Sequence, residues 1–266
     1  MKLYISADIE GVAGVADRSE IISGSEEYET ARRQMTKEVA AACLGAMDAG
    51  ITEVLVKDAH DTGRNILAAD LPTDVRLLRG WTGHPYSMME ELNDSFGAAM
   101  MIGYHDKAGN NGNPLAHTIN MRKINKIEIN GIAASEFLIS ALTAGLEKVP
   151  VVLISGDQNI CKEASELIPQ ILAVPVKQGI GSSTVSVHPE KACEQIRNTA
   201  KQALSTDLFH PALVLPELFE VQIEYIDFKD AFEASFYPGV CSISAKKVVF
   251  ESHEYFEVLR MFNFLL

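Results

Sequence analysis

Cysteine is scarce: Cys43, Cys161, Cys193 and Cys241 are the four in 266 residues, and no short spacing links any two of them. That argues against a disulfide framework and for free thiols buried in apolar or helical stretches. Long apolar runs are missing as well, since no uninterrupted stretch approaches the about 18 residues that cross a bilayer. The amino-terminal MKLYISADIE reaches Asp8 and Glu10 before a signal-peptide apolar region can form, so a cytoplasmic soluble protein is expected. Basic residues are under-represented, with 23 Lys plus Arg against 36 Asp plus Glu and a net charge of -13. Such a field repels polyanions, which disfavours nucleic acid and anionic membrane and favours small amine-bearing ligands or metal ions. There is no internal repeat and no low-complexity tract. With 47% apolar and 22% charged residues, the chain has enough apolar material for a sizeable core, which excludes disorder and a stapled mini-protein.

What is present reads as layered α/β. Lys2 to Ala7 is a short apolar strand, Glu26 to Ala49 has helical periodicity ending at Gly50, and Glu53 to Lys57 is a second strand. Strand, long helix and strand make a βαβ crossover, hence a parallel pair. Ala98 to Gly103 and Val149 to Ser155 are further buried-strand candidates, each preceded by a helical pattern. Lys123 to Ile132 alternates apolar and polar residues around Asn130-Gly131, a strong hairpin signal, and Ser135 to Leu146 then reads as helix. Another strand candidate, Ile171 to Val176, precedes the GIGSST turn and a helix from about Pro189 to Leu204. Beyond Pro211 the alternating Phe219 to Tyr225 and the short Val248 to Phe250 suggest a smaller α+β portion. The expectation is an α/β/α arrangement on a mainly parallel sheet over residues 1–185, with a smaller α+β portion over 186–266.

Chemistry concentrates where strands end, because parallel sheets gather functional groups at their carboxyl edges. The first strand ends in Asp8-Ile9-Glu10, whose i and i+2 side chains point the same way if the chain stays extended. The second ends in Asp58-Ala59-His60 and the third in Gly103-Tyr104-His105. Three carboxylates and two imidazoles at neighbouring ends suit zinc or manganese, although each alone has an ordinary structural reading as a loop acid or a hydrogen-bonded imidazole. Asp58 reads either as a ligand or as a carboxylate orienting His60. His117 stands in the loop leaving the His105 strand and is placed to reach the same cleft. His84, His188 and His210 precede prolines and His253 opens the last helix, so these four read as structural. GIGSST lacks the lysine of a P-loop and reads as a plain loop, and Asp157 reads as a helix cap.

Asp8-Ile9-Glu10-Gly11, Val56-Lys57-Asp58-Ala59-His60, the segment from Pro85 to His105, Ala116-His117-Thr118 and Ser135-Glu136 together resemble, in order and spacing, the zinc D-aminopeptidase family associated with dipeptide-transport operons. The resemblance spans nearly the whole chain and is strongest in its first two thirds. It implies a metallo-aminopeptidase with two Zn2+ per chain, acting on short peptides with an N-terminal D-amino acid such as D-Ala-D-Ala. It places the metal ligands on Asp8, Glu10, His60, His105 and Glu136, with Asp8 bridging, and His117 at the catalytic centre. A ring-like homo-oligomer, a decamer in the family, is implied as well, its interior enclosing the active sites. The GIGSST turn departs from the family, which carries an arginine near the position of Ser182. Two other readings compete: a metal-dependent amidase on peptidoglycan fragments, and a peptide-binding protein with a structural metal. The preferred chirality rests on the resemblance alone.

Overall fold

The computed structural model describes residues 1–204 and 211–266. Along the chain run β1 (Lys2–Ala7), α1 (Tyr28–Asp48), β2 (Glu53–Asp58), β3 (Val75–Leu78), β4 (Phe96–Tyr104), β5 (Ile124–Ile129), β6 (Ile132–Ala133), α2 (Glu136–Leu146), β7 (Val151–Asp157), α3 (Gln158–Leu167), β8 (Leu172–Ile180), β9 (Ser183–Ser186), α4 (Pro189–Ala203), β10 (Phe219–Tyr225), α5 (Phe228–Ala234), β11 (Val240–Ser242), β12 (Lys247–Ser252) and α6 (Tyr255–Leu265). Seven strands form one sheet in the order β3-β2-β1-β4-β7-β8-β9, parallel throughout except for the terminal β8–β9 hairpin. The central strands β1, β4 and β7 are apolar runs with both faces covered, the pattern that parallel strands between helix layers require. Helices α1 and α4 pack together on one face, so closely that a Cβ on Gly45 would lie 2.2 Å from the Arg197 carbonyl oxygen.

A second, antiparallel sheet has the order β11-β12-β10-β5-β6. Along β10 the residues Phe219, Val221, Ile223 and Tyr225 are buried while those between are half-buried, which is the two-residue alternation of a strand with one face on a core. That core takes Leu138 and Leu142 from α2 and Val258, Met261 and Phe262 from α6, so the strongly apolar carboxyl-terminal segment fills the space behind this sheet. Asn130 and Gly131 both have positive φ, at 51° and 77°, as a tight β5–β6 turn requires. The hairpin lies within residues 1–185 yet pairs with β10, and α4 lies beyond residue 186 yet packs on the first sheet.

Two expectations are corrected. No helix precedes β4: positive φ at Ser87 (48°) and Glu91 (67°) breaks the periodic stretch, leaving a single 3-10 turn, Ser87–Met89, with Met88 and Met89 buried. Of the cysteines, all free, Cys43 and Cys161 are buried but Cys193 is half-buried and Cys241 exposed, because β11 is an edge strand that turns Val240 inward and Cys241 outward. Among the described residues no helix is long and apolar enough to cross a membrane.

Candidate metal centre

Beyond β1 the chain stays pinned to β4: Asp8 N donates to the Ile102 carbonyl at 2.8 Å and Gly11 N to the Gly103 carbonyl at 2.8 Å. Glycine is needed at both contacts. A Cβ on Gly11 would stand 1.8 Å from the Tyr104 carbonyl oxygen, and Gly103 holds φ +74 with Asp8 O 2.3 Å from where its Cβ would be. The buried Lys177 ammonium of β8 donates to the Glu10 carbonyl and, at 2.6 Å, to the Val15 carbonyl, while Asn113 Nδ2 donates to the Glu10 carbonyl at 2.9 Å. These contacts deliver the Asp8 and Glu10 carboxylates to the ends of β2 and β4.

His60 Nδ1 lies 3.0 Å from Glu10 Oε2 and 3.3 Å from Asp8 Oδ1. His105 Nε2 lies 3.5 Å from Asp8 Oδ2 and 3.3 Å from Glu136 Oε2. His117 Nε2 is 3.5 Å from Glu136 Oε1, and its ring stacks on His105 with centroids 4.4 Å apart. All five expected ligands and His117 thus meet in one place. Two groups of three, Asp8 with Glu10 and His60, and Asp8 with His105 and Glu136, each bring one ligand atom per residue within 4.8 Å of the others; Glu10, His105 and His117 form a third.

The hydrogen bonds on the far side of each ring show what these groups need. His60 Nε2 meets the Ile21 carbonyl at 2.9 Å, His105 Nδ1 the Asp106 carbonyl at 2.8 Å and His117 Nδ1 the Leu115 carbonyl at 2.9 Å. A carbonyl only accepts, so those nitrogens carry the N–H, and each ring, when neutral, turns a lone pair toward carboxylates. Acceptor facing acceptor at 3.0–3.5 Å is repulsive unless a cation lies between. Asp8 Oδ2, Glu10 Oε2 and His105 Nε2 are, in addition, buried without a hydrogen-bond partner. Oxygen and imidazole donors of this kind fit zinc, and backbone carbonyls orienting each imidazole are the usual outer support of a metal-binding histidine.

The electrostatics express the same demand. Burial, reinforced by Glu10, raises the Asp8 carboxyl well above its usual range. Burial acts the same way on Glu10 and Glu136, yet the imidazoles of His60 and His105 respectively hold both below the ordinary carboxylate range. Desolvation favours neutral His60 and His105, but Glu10 beside the first and Glu136 beside the second drive both well above the usual imidazole value. A proton binds these rings in the absence of a metal, and a divalent cation would replace it.

The sequence reading fails at Asp58. It makes no hydrogen bond to the His60 ring; its carboxylate accepts from Asn65 N at 2.6 Å, Ile66 N at 2.7 Å and Asn65 Nδ2 at 2.7 Å, tying down the loop after β2, and Asn65 Nδ2 in turn donates to the His60 carbonyl at 2.7 Å. Asp157 caps α3 through Ile160 N at 3.0 Å and also accepts from Asp106 N at 2.7 Å, which fixes the turn after His105. His188 caps α4, His253 bonds the Glu217 carbonyl and His84 packs against Tyr86, all away from the ligand cluster; His210 lies outside the described residues. GIGSST is the β8–β9 hairpin, turning at Gly181 with φ +61.

Asp8, Glu10, His60, Glu136 and His117 line a cleft of about 500 Å³ whose wall also includes Met88 and three residues that no motif marks, Arg18, Trp81 and Arg122. Trp81 rests on buried Lys57, whose ammonium lies 3.7 Å from the ring centroid, 3.4 Å from Glu90 Oε2 and 2.6 Å from the Gly80 carbonyl it donates to. Glu90 also accepts from Thr82 N at 3.0 Å and Thr82 Oγ1 at 2.9 Å. Glu90→Ala leaves the Lys57 charge buried without its partner and is expected to destabilise the protein by about 3–5 kcal/mol. A shift in the urea midpoint at unchanged slope is the readout; an unchanged midpoint refutes it.

Carboxylates and imidazoles converging at the carboxyl edge of a parallel sheet, in an acidic cleft of small-molecule size, define a metal-dependent hydrolase. The particular family follows from comparison, since residues 1–264 match the family model for the M55 peptidases, described as D-aminopeptidase. A D-aminopeptidase of Bacillus subtilis strain 168 is 34% identical over 240 residues, covering 90% of this chain and 86% of its own. The solved structure of the zinc-dependent D-aminopeptidase DppA from Bacillus subtilis, described as a self-compartmentalizing protease, superposes with a TM-score of 0.92 at 31% identity, covering 98% of this chain and 95% of that one. The chain belongs to the M55 D-aminopeptidase family.

Proposed function

We propose that the protein is a zinc aminopeptidase that removes the N-terminal D-residue from short peptides such as D-Ala-D-Ala, using two zinc ions per chain. Asp8, Glu10 and His60 would hold one ion and Asp8, His105 and Glu136 the other. The observation that carries this reading is the position of Asp8, whose Oδ1 faces His60 while Oδ2 faces His105. Three protein ligands per ion are the number catalytic zinc sites use, leaving a position for water or substrate. Such an ion pair supplies Lewis acidity toward the scissile carbonyl and lowers the pKa of a water from about 15.7 toward about 7.

The remaining work falls to the chain. Carboxylates in the cleft favour a substrate that enters with a free, protonated α-amino group. His117, its Nδ1–H engaged by Leu115 O, presents the Nε2 lone pair to the cleft, where it takes up the attacking water's proton and then, as the imidazolium, stabilises the developing oxyanion or passes that proton to the departing amine. D-selectivity is supported by the family and by both relatives. The test is hydrolysis of D-Ala-D-Ala against L-Ala-L-Ala after chelation and zinc reconstitution, with elemental analysis. Two zinc ions per chain and D-selective, zinc-restored cleavage are expected; a zinc-loaded protein that cleaves neither dipeptide sinks the proposal.

This reading includes a homo-oligomer enclosing its active sites, ring-like and of up to ten chains, acting in the cytoplasm, where free thiols persist. Its support is an apolar surface on and around α5, where Phe228, Phe232 and Phe236 are 64%, 65% and 73% exposed. Phe232→Asp is expected to shift the mass by light scattering from that of an oligomer to a smaller species. A wild-type protein that is monomeric at micromolar concentration would remove the oligomer while leaving the metal centre untouched.

A further inference from the structure

The cleft is acidic at the metal ligands, with Asp8, Glu10 and Glu136 in its wall, and Asp61 adds a fourth carboxylate. Two arginines, Arg18 and Arg122, line the same cleft. Both are exposed in a protein carrying thirteen excess negative charges, and among the described residues neither guanidinium is in an ion pair. Two guanidiniums without a carboxylate partner in the pocket that holds the metal-ligand cluster offer it a place for an anionic group.

Their backbones are fixed relative to the metal ligands. Arg18 opens a 3-10 turn, Arg18–Glu20, closed by a capping box between Asp17 and Glu20. Its carbonyl accepts from Ile21 N, and the Ile21 carbonyl in turn bonds His60 Nε2. Arg122 follows the loop that carries His117, and its N–H donates to Asn120 Oδ1 at 3.1 Å. The two loops leave β1 and β4, which are neighbours in the sheet. Arg18 is thus three residues from the Ile21 carbonyl that holds His60, and Arg122 stands five residues after His117, each on its own loop.

We infer that Arg18 and Arg122 capture the C-terminal carboxylate of the substrate, so that the substrate class is the free-acid di- or tripeptide and not its amide, its ester or the end of a longer chain. This rests on the aminopeptidase reading above. An extended dipeptide spans about 7 Å and a tripeptide about 10 Å. A ligand of that kind, with an amine at one end and a carboxylate at the other, finds complementary groups in a cleft of about 500 Å³ lined by both acids and guanidiniums, and arginine binds carboxylates through paired N–H donors.

The test uses the zinc-reconstituted full chain and a reduced-amide analogue of D-Ala-D-Ala, whose CH2–NH link resists hydrolysis, as the free acid and as the C-terminal carboxamide. Trp81, the single tryptophan, lines the cleft and reports binding by its fluorescence. The acid is expected to bind about tenfold more tightly than the carboxamide, the range of charge-assisted hydrogen bonds. Arg18→Gln with Arg122→Gln should bring the acid down to the carboxamide's affinity while leaving the carboxamide unchanged. Equal affinities for the two in the wild type, or no binding of either, overturn the inference. Because no bond is cleaved, the result stands whether or not D-Ala-D-Ala is hydrolysed in the parallel activity assay, which tests the aminopeptidase reading alone.

Discussion

Asp8→Ala is expected to abolish binding of both zinc ions and to lower kcat/KM by at least about four orders of magnitude, roughly 5.5 kcal/mol of transition-state stabilisation. Every other proposed ligand belongs to one of the two proposed triads, whereas Asp8 turns one oxygen toward the imidazole of each. Glu136→Gln is therefore expected to weaken the ion at His105 while sparing the one at His60. Elemental analysis after dialysis against limiting zinc separates the variants. A second readout is thermal stability with and without zinc, since a ligand present at a hundred times its Kd stabilises by about 2.7 kcal/mol. That increment should vanish in Asp8→Ala, while the metal-free midpoint shifts little, because the substitution removes a carboxyl whose charge burial already disfavours. An Asp8→Ala protein that retains two ions would show that Asp8 does not bridge.

Four of the proposed ligand positions were legible because they follow one rule: Asp8, Glu10, His60 and His105 each stand within a few residues past the end of a parallel strand, and strand ends can be read from apolar runs. Glu136 obeys no such rule. It sits in the first turn of α2 and reaches the cluster because Ser135 caps the helix through Leu138 N and Ile119 N holds Glu136 Oε1 at 2.7 Å, contacts set by packing between distant segments. Only the family resemblance pointed to it. Asp58 shows the rule misfiring, since a strand-end carboxylate can equally well bind the backbone of its own loop.

The fold was legible on the same terms. Fully buried strands and the Asn130-Gly131 turn announce themselves, whereas β3 is a four-residue edge strand carrying Arg76, too short and too polar to give a period. The helical pattern before β4 failed because Met88 and Met89 reach the core from a single turn, giving apolar spacing without a helix. Arg18 and Trp81 were invisible for a related reason: what brings them to the cleft is a 3-10 turn in one case and the Lys57–Glu90 pair beneath the ring in the other.

His117→Ala should separate chemistry from metal binding. In the assigned triads His117 holds no ion, and its nearest site contact is Glu136 Oε1 at 3.5 Å, with its ring lying on His105. Removing it leaves five ligands in place, so both zinc ions and nearly all stability are expected to remain. The loss falls on kcat, by about two to four orders of magnitude, the range for a missing acid, base or oxyanion donor. His60→Ala should behave differently, losing an ion together with activity, since Asp8 and Glu10 alone leave one triad a ligand short. The alternative is built into the same geometry, because Glu10, His105 and His117 also bring ligand atoms within 4.8 Å of one another. If His117→Ala loses zinc as His60→Ala does, that third grouping is the real site and His117 is a ligand; if it keeps both zinc and kcat, the imidazole only packs against His105.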